Sequence, residues 1–295
     1  MAPTAKEWKE GGTWTHPDLY APYGSAMMLL RQICLHPYTI CLPTDAEGPY
    51  TPQDETVVMK SGKMRVMDQL LEALKADGHK VLLFSQFKTV LDVLEVYCKY
   101  RDYKYVRLDG GTHLEERAER IAQFNTDPDT FLFLISTRAG NLGMNLAAAD
   151  SVIIYDSDWN PQSDLQAQDR CHRIGQTRPV VVYRLTTKGT IDEKIVSAAI
   201  GKRKIERTVI GGGKFNKLLR GFAEEGISPE ELRSMLETTD HSAAVETQGN
   251  LLSEQDLAFL LDRSFTEADK NAKGPNSDAF QVIQRKDTNP SSQSS

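Results

Sequence analysis

The chain has few of the residues that staple small secreted proteins. Its 295 residues include four cysteines, Cys34, Cys41, Cys98 and Cys171, none in a CxxC spacing. That pattern argues against a disulfide framework or a thiolate zinc site, and reads as reduced thiols in an intracellular protein. The six histidines form no HExxH and no paired metal pattern. No run approaches the roughly 18 apolar residues of a membrane helix, so no membrane partner is expected. No apolar stretch follows Met1 to suggest a secretory signal. Positive charge is not in excess: 35 Lys and Arg against 41 Asp and Glu leave a net charge of −6. That balance argues mildly against nucleic acid as a partner. A phosphate-cradling GxxxxGK[ST] is also lacking, since Ser61-Gly-Lys-Met is not one. No Asp-Glu pair ends an apolar strand pattern: Asp54-Glu55 lies in a linker and Asp192-Glu193 opens a helix.

What is present is an ordinary globular composition, 40% hydrophobic and 26% charged, in a length that allows one or two domains. The net charge hides a polarity. Residues 201–220 carry seven cations, Lys202 and Arg203 among them, against Glu206 alone. Residues 221–270 carry twelve acids against Arg233, Arg263 and Lys270. Two solvated faces would explain this, and so would a phosphate-binding element beside an acidic segment that competes for it.

Periodicity divides the chain. Residues 1–60 read as an N-terminal segment and linker, with helical spacing from Ser25 to Cys34 and no period over 43–56. Residues 61–189 alternate helices and strands. Ser61–Lys75 is an amphipathic helix ended by Gly78, and Val81–Ser85 an almost wholly apolar strand. Lys88–Tyr100 is a helix, Tyr103–Leu108 a strand, and Leu114–Phe124 a helix for which Thr112 is the candidate cap. Phe131–Ile135, Val152–Tyr155 and Val180–Leu185 are strands, with a helix near 163–174 before the last. Apolar strands separated by helices imply an α/β fold with a mostly parallel sheet covered on both faces. Residues 190–220 read as a long helix capped by Thr190 followed by a basic segment, 221–270 as acidic helices opened at Ser228 and Ser253, and 271–295 as a polar, disordered tail.

Three segments carry chemistry. In Gln166-Ala-Gln-Asp-Arg170-Cys-His-Arg173-Ile-Gly-Gln176, a helix would place 166, 170 and 173 on one face. Two guanidiniums there suit a polyphosphate, although solvated arginines paired with Asp164 and Asp169 would look the same. Ser136-Thr-Arg-Ala-Gly140-Asn-Leu-Gly143-Met-Asn145 follows a strand, and its small residues let backbone N–H groups approach a ligand; a simple turn is the alternative. Phe84-Ser-Gln86 closes a strand at its carboxyl end, and Trp159 stands in the acidic loop Asp156–Pro161 as either a core anchor or a DNA contact.

Phe84-Ser-Gln86, Arg107-Leu-Asp-Gly110, Ser136–Gly140, Tyr155–Pro161 and Gln166–Gln176 stand in an order that resembles the second RecA-like lobe of the SWI/SNF-type remodelling ATPases of helicase superfamily 2. Leu30–Tyr38 and Ser61-Gly-Lys63 are similar to upstream segments of that family. The segment opening at Thr190 and the tail Leu252–Ser264 most resemble its lymphoid-specific helicase subgroup, with the imitation-switch subgroup next. The resemblance covers about residues 25–265. It implies arginine fingers at Arg170 and Arg173, with Gln166 as their coupling partner. It implies nucleotide near Gly140, Gly143 and Asn145, and DNA at Gln86, Arg107, Thr137 and Trp159, which the basic Lys202 and Arg203 would extend. The family commonly has Gly-Gly where this chain has Gly140-Asn141, a change that asparagine's tolerance of positive φ makes compatible with the same loop. The implied ligands are ATP, with Mg²⁺ held by a first lobe, and double-stranded DNA or a nucleosome. The implied partner is that first lobe, in cis or in trans, and the implied location the nucleus. Without a phosphate loop the chain is expected to be inactive alone. The alternative is a DNA- or partner-binding regulatory fragment that does not hydrolyse ATP.

Overall fold

Val81-Leu-Leu-Phe-Ser85 has almost no polar alternation, and such a strand is stable only with both faces covered. It lies at the centre of the sheet and all five residues are buried. The computed structural model describes residues 23–45, 48–140, 144–168, 170–171, 176, 178–210 and 251–263. In chain order these form α1 (Tyr23–Leu35), a 3₁₀ turn (Pro37–Thr39), β1 (Thr44–Asp45), β2 (Gly48–Pro49), α2 (Thr56–Met59) and α3 (Gly62–Ala76). Then come β3 (Val81–Ser85), α4 (Lys88–Tyr100), β4 (Tyr105–Leu108), α5 (Leu114–Thr126), β5 (Leu132–Ser136) and α6 (Thr137–Gly140). β6 (Ser151–Ile154), α7 (Pro161–Gln168), β7 (Val181–Arg184), α8 (Ile191–Ile210) and α9 (Glu254–Leu261) complete the set.

The five long strands pair in parallel in the order β4-β5-β3-β6-β7. Alternate residues of a strand face opposite sides, so β3 divides its side chains between two cores. Val81 and Leu83 pack with Leu71, Leu74, Val90 and Leu94, which places α3 and α4 on one face. Leu82 and Phe84 pack with Phe124, Ala139 and Ala167, which places α5, α6 and α7 on the other. Leu35, Val57 and Val58 belong to the first core, so the described residues before 61 share the lobe's interior.

Local signals explain the element ends. The Ser61 hydroxyl caps α3 by accepting the N–H of Met64 at 3.3 Å. Gly78, at φ +73°, ends it: the N–H of Gly78 reaches Lys75 O and that of His79 reaches Leu74 O, a full Schellman motif. Asp102, at φ 52°, does the same for α4. Thr190 accepts the N–H of Asp192 at 3.2 Å, while Glu193 reaches back one residue further, to the N–H of Gly189. Ser253 and Asp256 form a complete capping box at α9. Gln69 then holds this segment through Leu251 and Leu252, and Tyr183 donates to Leu260 O, so the helical extension lies against the lobe.

Several expectations are corrected. The helix expected near 163–174 ends at Gln168, and Arg170 sits in a turn beyond it. Thr112 is not the cap of α5. That position is His113, and the Thr112 hydroxyl instead accepts the N–H of Asp109 within the preceding turn. The linker over 43–56 holds the short antiparallel pair β1–β2. The helix expected at Ser228, much of the basic and acidic segments, and the tail from Ser264 lie outside the described residues.

His36 illustrates how the segment before the lobe is fastened. Its Nε2 lies 2.9 Å from Val57 O, and its Nδ1 accepts the N–H of Tyr38 at 3.0 Å. That pattern requires the neutral ring with the proton on Nε2. Burial lowers its pKa below the ordinary value, against the pull of the Val57 carbonyl. A group whose folded pKa is depressed leaves stability full above its unfolded pKa of about 6.5. Stability is then lost as pH falls from there through the folded value. The urea midpoint of the native protein should therefore drop more steeply between about pH 7 and pH 5 than that of His36→Gln. Equal slopes would remove His36 as the source.

Candidate functional site

The register sets which side chains meet. Leu108, Ile135, Phe84, Ile154 and Arg184 are level across the sheet. Two residues further on, Thr137, Gln86 and Asp156 stand side by side beyond the carboxyl ends of β5, β3 and β6. The connection leaving β3 runs over the α4 face, while those leaving its neighbours β5 and β6 run over the other. The connections thus diverge at β3, the topological position at which an open α/β sheet takes ligand.

Asp156 organises this rim. Its carboxylate accepts the N–H of Gln86 at 3.2 and 3.1 Å. Burial pushes its pKa up to about 6, while the Ser85 hydroxyl, the Gln86 N–H, Lys63 and Arg31 pull it back. Lys63 donates to Tyr155 O at 2.9 Å and pairs with Asp192 of α8 at 2.5 Å. Arg31 of α1 donates to Ser157 O at 3.2 Å. Arg184 at the end of β7 donates to the Ser157 hydroxyl at 3.1 Å and pairs with Asp164 of α7 at 2.8 Å. Asp164 is also pushed up to about 6 by burial, against the pull of Arg184. Three cations and three acids, drawn from α1, α3, α7, α8, β7 and the loop after β6, thus balance in one network.

Gln86 is half-buried, and its buried Nε2 has no hydrogen-bond partner among the described residues. Thr137 is buried at the start of α6. Trp159 is half-buried in a loop shaped by Asx turns: Asp158 Oδ1 accepts the N–H of Asn160 and Asn160 Oδ1 that of Gln162.

A second cluster forms at the other end of α7, which starts at the carboxyl rim and runs back along the sheet. Arg170 is 7% exposed, its N–H directed to Ala167 O and its carbonyl accepting the N–H of Leu146 at 3.4 Å. Asn145 is exposed, and its carbonyl accepts from Asn125 at 3.0 Å. Gln176 donates to Ala147 O and Ala149 O, pinning the same loop. Arg170 and Asn145 are thus brought together, at the end of α7 opposite the Trp159 loop. Gln166 is exposed on α7. It is not on a continuous helical face with Arg170, because the helix ends between them. Gly140 ends α6; Gly143, Arg173 and the side chain of Arg203 lie outside the described residues, and Lys202 is half-buried on α8.

Arg107 differs most from the sequence reading. Its side chain is 11% exposed and is held by Asp92 at 2.7 Å, Glu95 at 2.5 Å and Asp109 at 2.8 Å. Asp164, considered as a partner for the arginines of its own segment, pairs with Arg184 instead. Sequence reasoning missed Asp156, Lys63 and Arg184. Lys63 had a signal: it is in helical register with Met67, Leu70 and Leu74, a lysine on the buried stripe. Among the described residues no group of three His, Cys, Asp or Glu could hold a metal ion, and no helix is long and apolar enough to cross a membrane.

Known proteins share this arrangement of segments. The helicase conserved C-terminal domain matches residues 62–175. Lymphoid-specific helicase of Homo sapiens is 51% identical over 252 residues, 84% of this chain and 30% of that protein. Chromatin-remodeling ATPase INO80 of Aspergillus terreus is 53% identical over 182 residues, 60% of this chain and 11% of that one. SWI/SNF-related matrix-associated actin-dependent regulator of chromatin subfamily A member 1 of Homo sapiens is 47% identical over 241 residues, 80% of this chain and 22% of that one. The chain therefore spans under a third of the length of these curated relatives. It belongs to the SWI/SNF-type chromatin-remodelling ATPases of helicase superfamily 2 and carries their helicase conserved C-terminal domain.

Proposed function

We propose that this lobe is the second half of an ATP-dependent DNA translocase motor within a chromatin remodeller, and that it works against a first lobe bearing the phosphate loop. The observation that carries this reading is the match of a helicase C-terminal domain to a parallel sheet whose rim and α7 turn present two separate clusters. Double-stranded DNA is assigned to the rim, where Gln86, Thr137 and Trp159 can meet backbone phosphates, with Lys202 and Arg203 extending the positive surface. ATP is assigned to the loop at Gly140, Gly143 and Asn145 and to Arg170 and Arg173, with Gln166 linking the two sites. Mg²⁺ is assigned to the first lobe, and the nucleus to the location.

In phosphoryl transfer, charge spreads over the γ-phosphate oxygens, and a guanidinium stabilises it through paired hydrogen bonds without proton exchange. Arg170 is buried in the lobe alone, so this role requires its side chain to turn outward when the first lobe docks. Arg107 is left out of the DNA set, because contact with a phosphate would mean exchanging three carboxylate partners.

The burial of Arg170 also favours the second reading, a DNA- or partner-binding regulatory fragment that does not hydrolyse ATP. ATP hydrolysis separates the two. The purified 295-residue chain should give only background turnover with or without DNA. The same chain supplied with a phosphate-loop lobe should give DNA-stimulated turnover. Robust hydrolysis by the chain alone would overturn the half-motor reading. DNA binding without turnover in the presence of both lobes would establish the regulatory one.

A further inference from the structure

The two clusters are joined by one eight-residue helix, and that helix has a buried charged anchor in its first turn. α7 leaves the Trp159 loop at Pro161 and ends at Gln168, two residues before Arg170. At about 1.5 Å per residue it is a rod of about 12 Å. Asp164, in its first turn, is 3% exposed and pairs with Arg184, the last residue of β7. The same guanidinium nitrogen donates to the Ser157 hydroxyl, and Asp164 Oδ1 accepts the N–H of Asp158 at 3.4 Å. One pair thus holds the loop carrying Trp159, the start of α7 and the sheet edge in one geometry. The apolar anchoring of α7 itself is slight: Ala167 packs in the core, with Pro161 buried and Leu165 half-buried.

We infer that Asp164 and Arg184 are positioning residues that link the Trp159 loop to the Arg170 turn, so that what the loop meets at the rim is felt at the arginine. The link rests on the proposed function above for the identity of the two ligands, but not for the mechanical connection. Both contacts are made by one nitrogen of a rigid, planar group, whereas the ammonium of lysine sits on a shorter, flexible stem and places its donors less precisely. Arg184→Lys therefore keeps the charge and loosens the placement.

Two measurements test this. In the chain supplied with a phosphate-loop lobe, Asp164→Asn, Arg184→Met and Arg184→Lys should lower the DNA-stimulated kcat by about 10- to 100-fold, the range expected when a catalytic group is misplaced by an ångström or so. KM for ATP and unstimulated turnover should stay within about twofold. The double variant Asp164→Asn/Arg184→Met should lose no more than the worse single, as for two groups acting as a unit. Unchanged stimulation, strictly multiplicative losses, or equal losses of stimulated and unstimulated turnover would overturn the link.

The second measurement needs no hydrolysis. In the 295-residue chain with Trp8→Phe and Trp14→Phe, Trp159 is the sole tryptophan. Arg184→Lys should shift its emission and raise its quenching by acrylamide, while the thermal transition shows the lobe still folded. Unaltered Trp159 emission and quenching in the folded variant would overturn the positioning role. Absent turnover in the unsubstituted two-lobe protein would instead overturn the proposed function and leave this second readout to decide the link.

Discussion

Replacing Arg170 with alanine, in a motor containing both lobes, is expected to lower DNA-stimulated ATP turnover by about 10³-fold or more. DNA affinity at fixed salt should stay nearly unchanged. The reasoning separates two jobs that a guanidinium can do. A finger acts on charge that develops in the transition state, so its loss falls on kcat. A phosphate-backbone contact acts equally in ground and transition states, and its loss weakens DNA binding and flattens the salt dependence. The structure places Arg170 beside the Asn145 loop and beyond the end of α7 opposite the Trp159 loop. That separation is why the two losses should not appear together. Arg173→Ala, three residues on, is expected to behave in the same way. If Arg170→Ala weakens DNA binding in parallel with turnover, the residue belongs to the DNA surface and the division into two clusters is wrong.

That division was not legible in the sequence. Gln166 through Arg173 reads as one helical face because the i, i+4, i+7 spacing is intact and no proline or glycine interrupts it before Gly175. In the turn beyond Gln168 the N–H of Arg170 reaches Ala167 O, three residues back, and the carbonyl of Arg170 is taken by the N–H of Leu146, a loop partner that spacing cannot anticipate. The sheet, by contrast, was readable to within about two residues at each strand, because runs such as Leu132–Ile135 are apolar on both faces and have no helical alternative of sufficient length. Arg107 shows a third situation. On sequence it was an arginine before Leu-Asp-Gly, free to face any anion. Asp92 and Glu95 come from α4, and only the packing of α4 beside β4 shows that its guanidinium is already taken.

The buried network was missed for a related reason. Its six charges are scattered from Arg31 to Asp192, and no short motif contains two of the opposed pairs. Lys63 carries the largest expected stability effect. Its side chain is 4% exposed, that of Asp192 is 6%, and the two are 2.5 Å apart. Removing one member of such a pair leaves a buried charge without its counter-ion, at a cost of about 3–5 kcal/mol. Lys63→Met keeps the volume and the apolar stem, and should destabilise the protein by that amount in urea unfolding at neutral pH. Asp192→Asn should cost less, because asparagine still accepts the N–H of Thr187 that Asp192 now accepts at 3.0 Å. The double variant Lys63→Met/Asp192→Asn should recover part of the loss of Lys63→Met, with a coupling of about 1–3 kcal/mol. The pH dependence supplies an independent check. Lys63 also pulls down the pKa of Asp156, which burial has already raised to about 6. Without Lys63 that carboxyl rises further. A carboxyl whose folded pKa lies above its unfolded value contributes stability below the unfolded pKa and loses it as pH rises through the folded one. The gap between native protein and Lys63→Met should therefore widen from about pH 5 to about pH 8. A gap that is constant across that range, together with strictly additive single losses, would show that Lys63 holds α3 to the Tyr155 carbonyl and does not hold the charge balance beneath the rim.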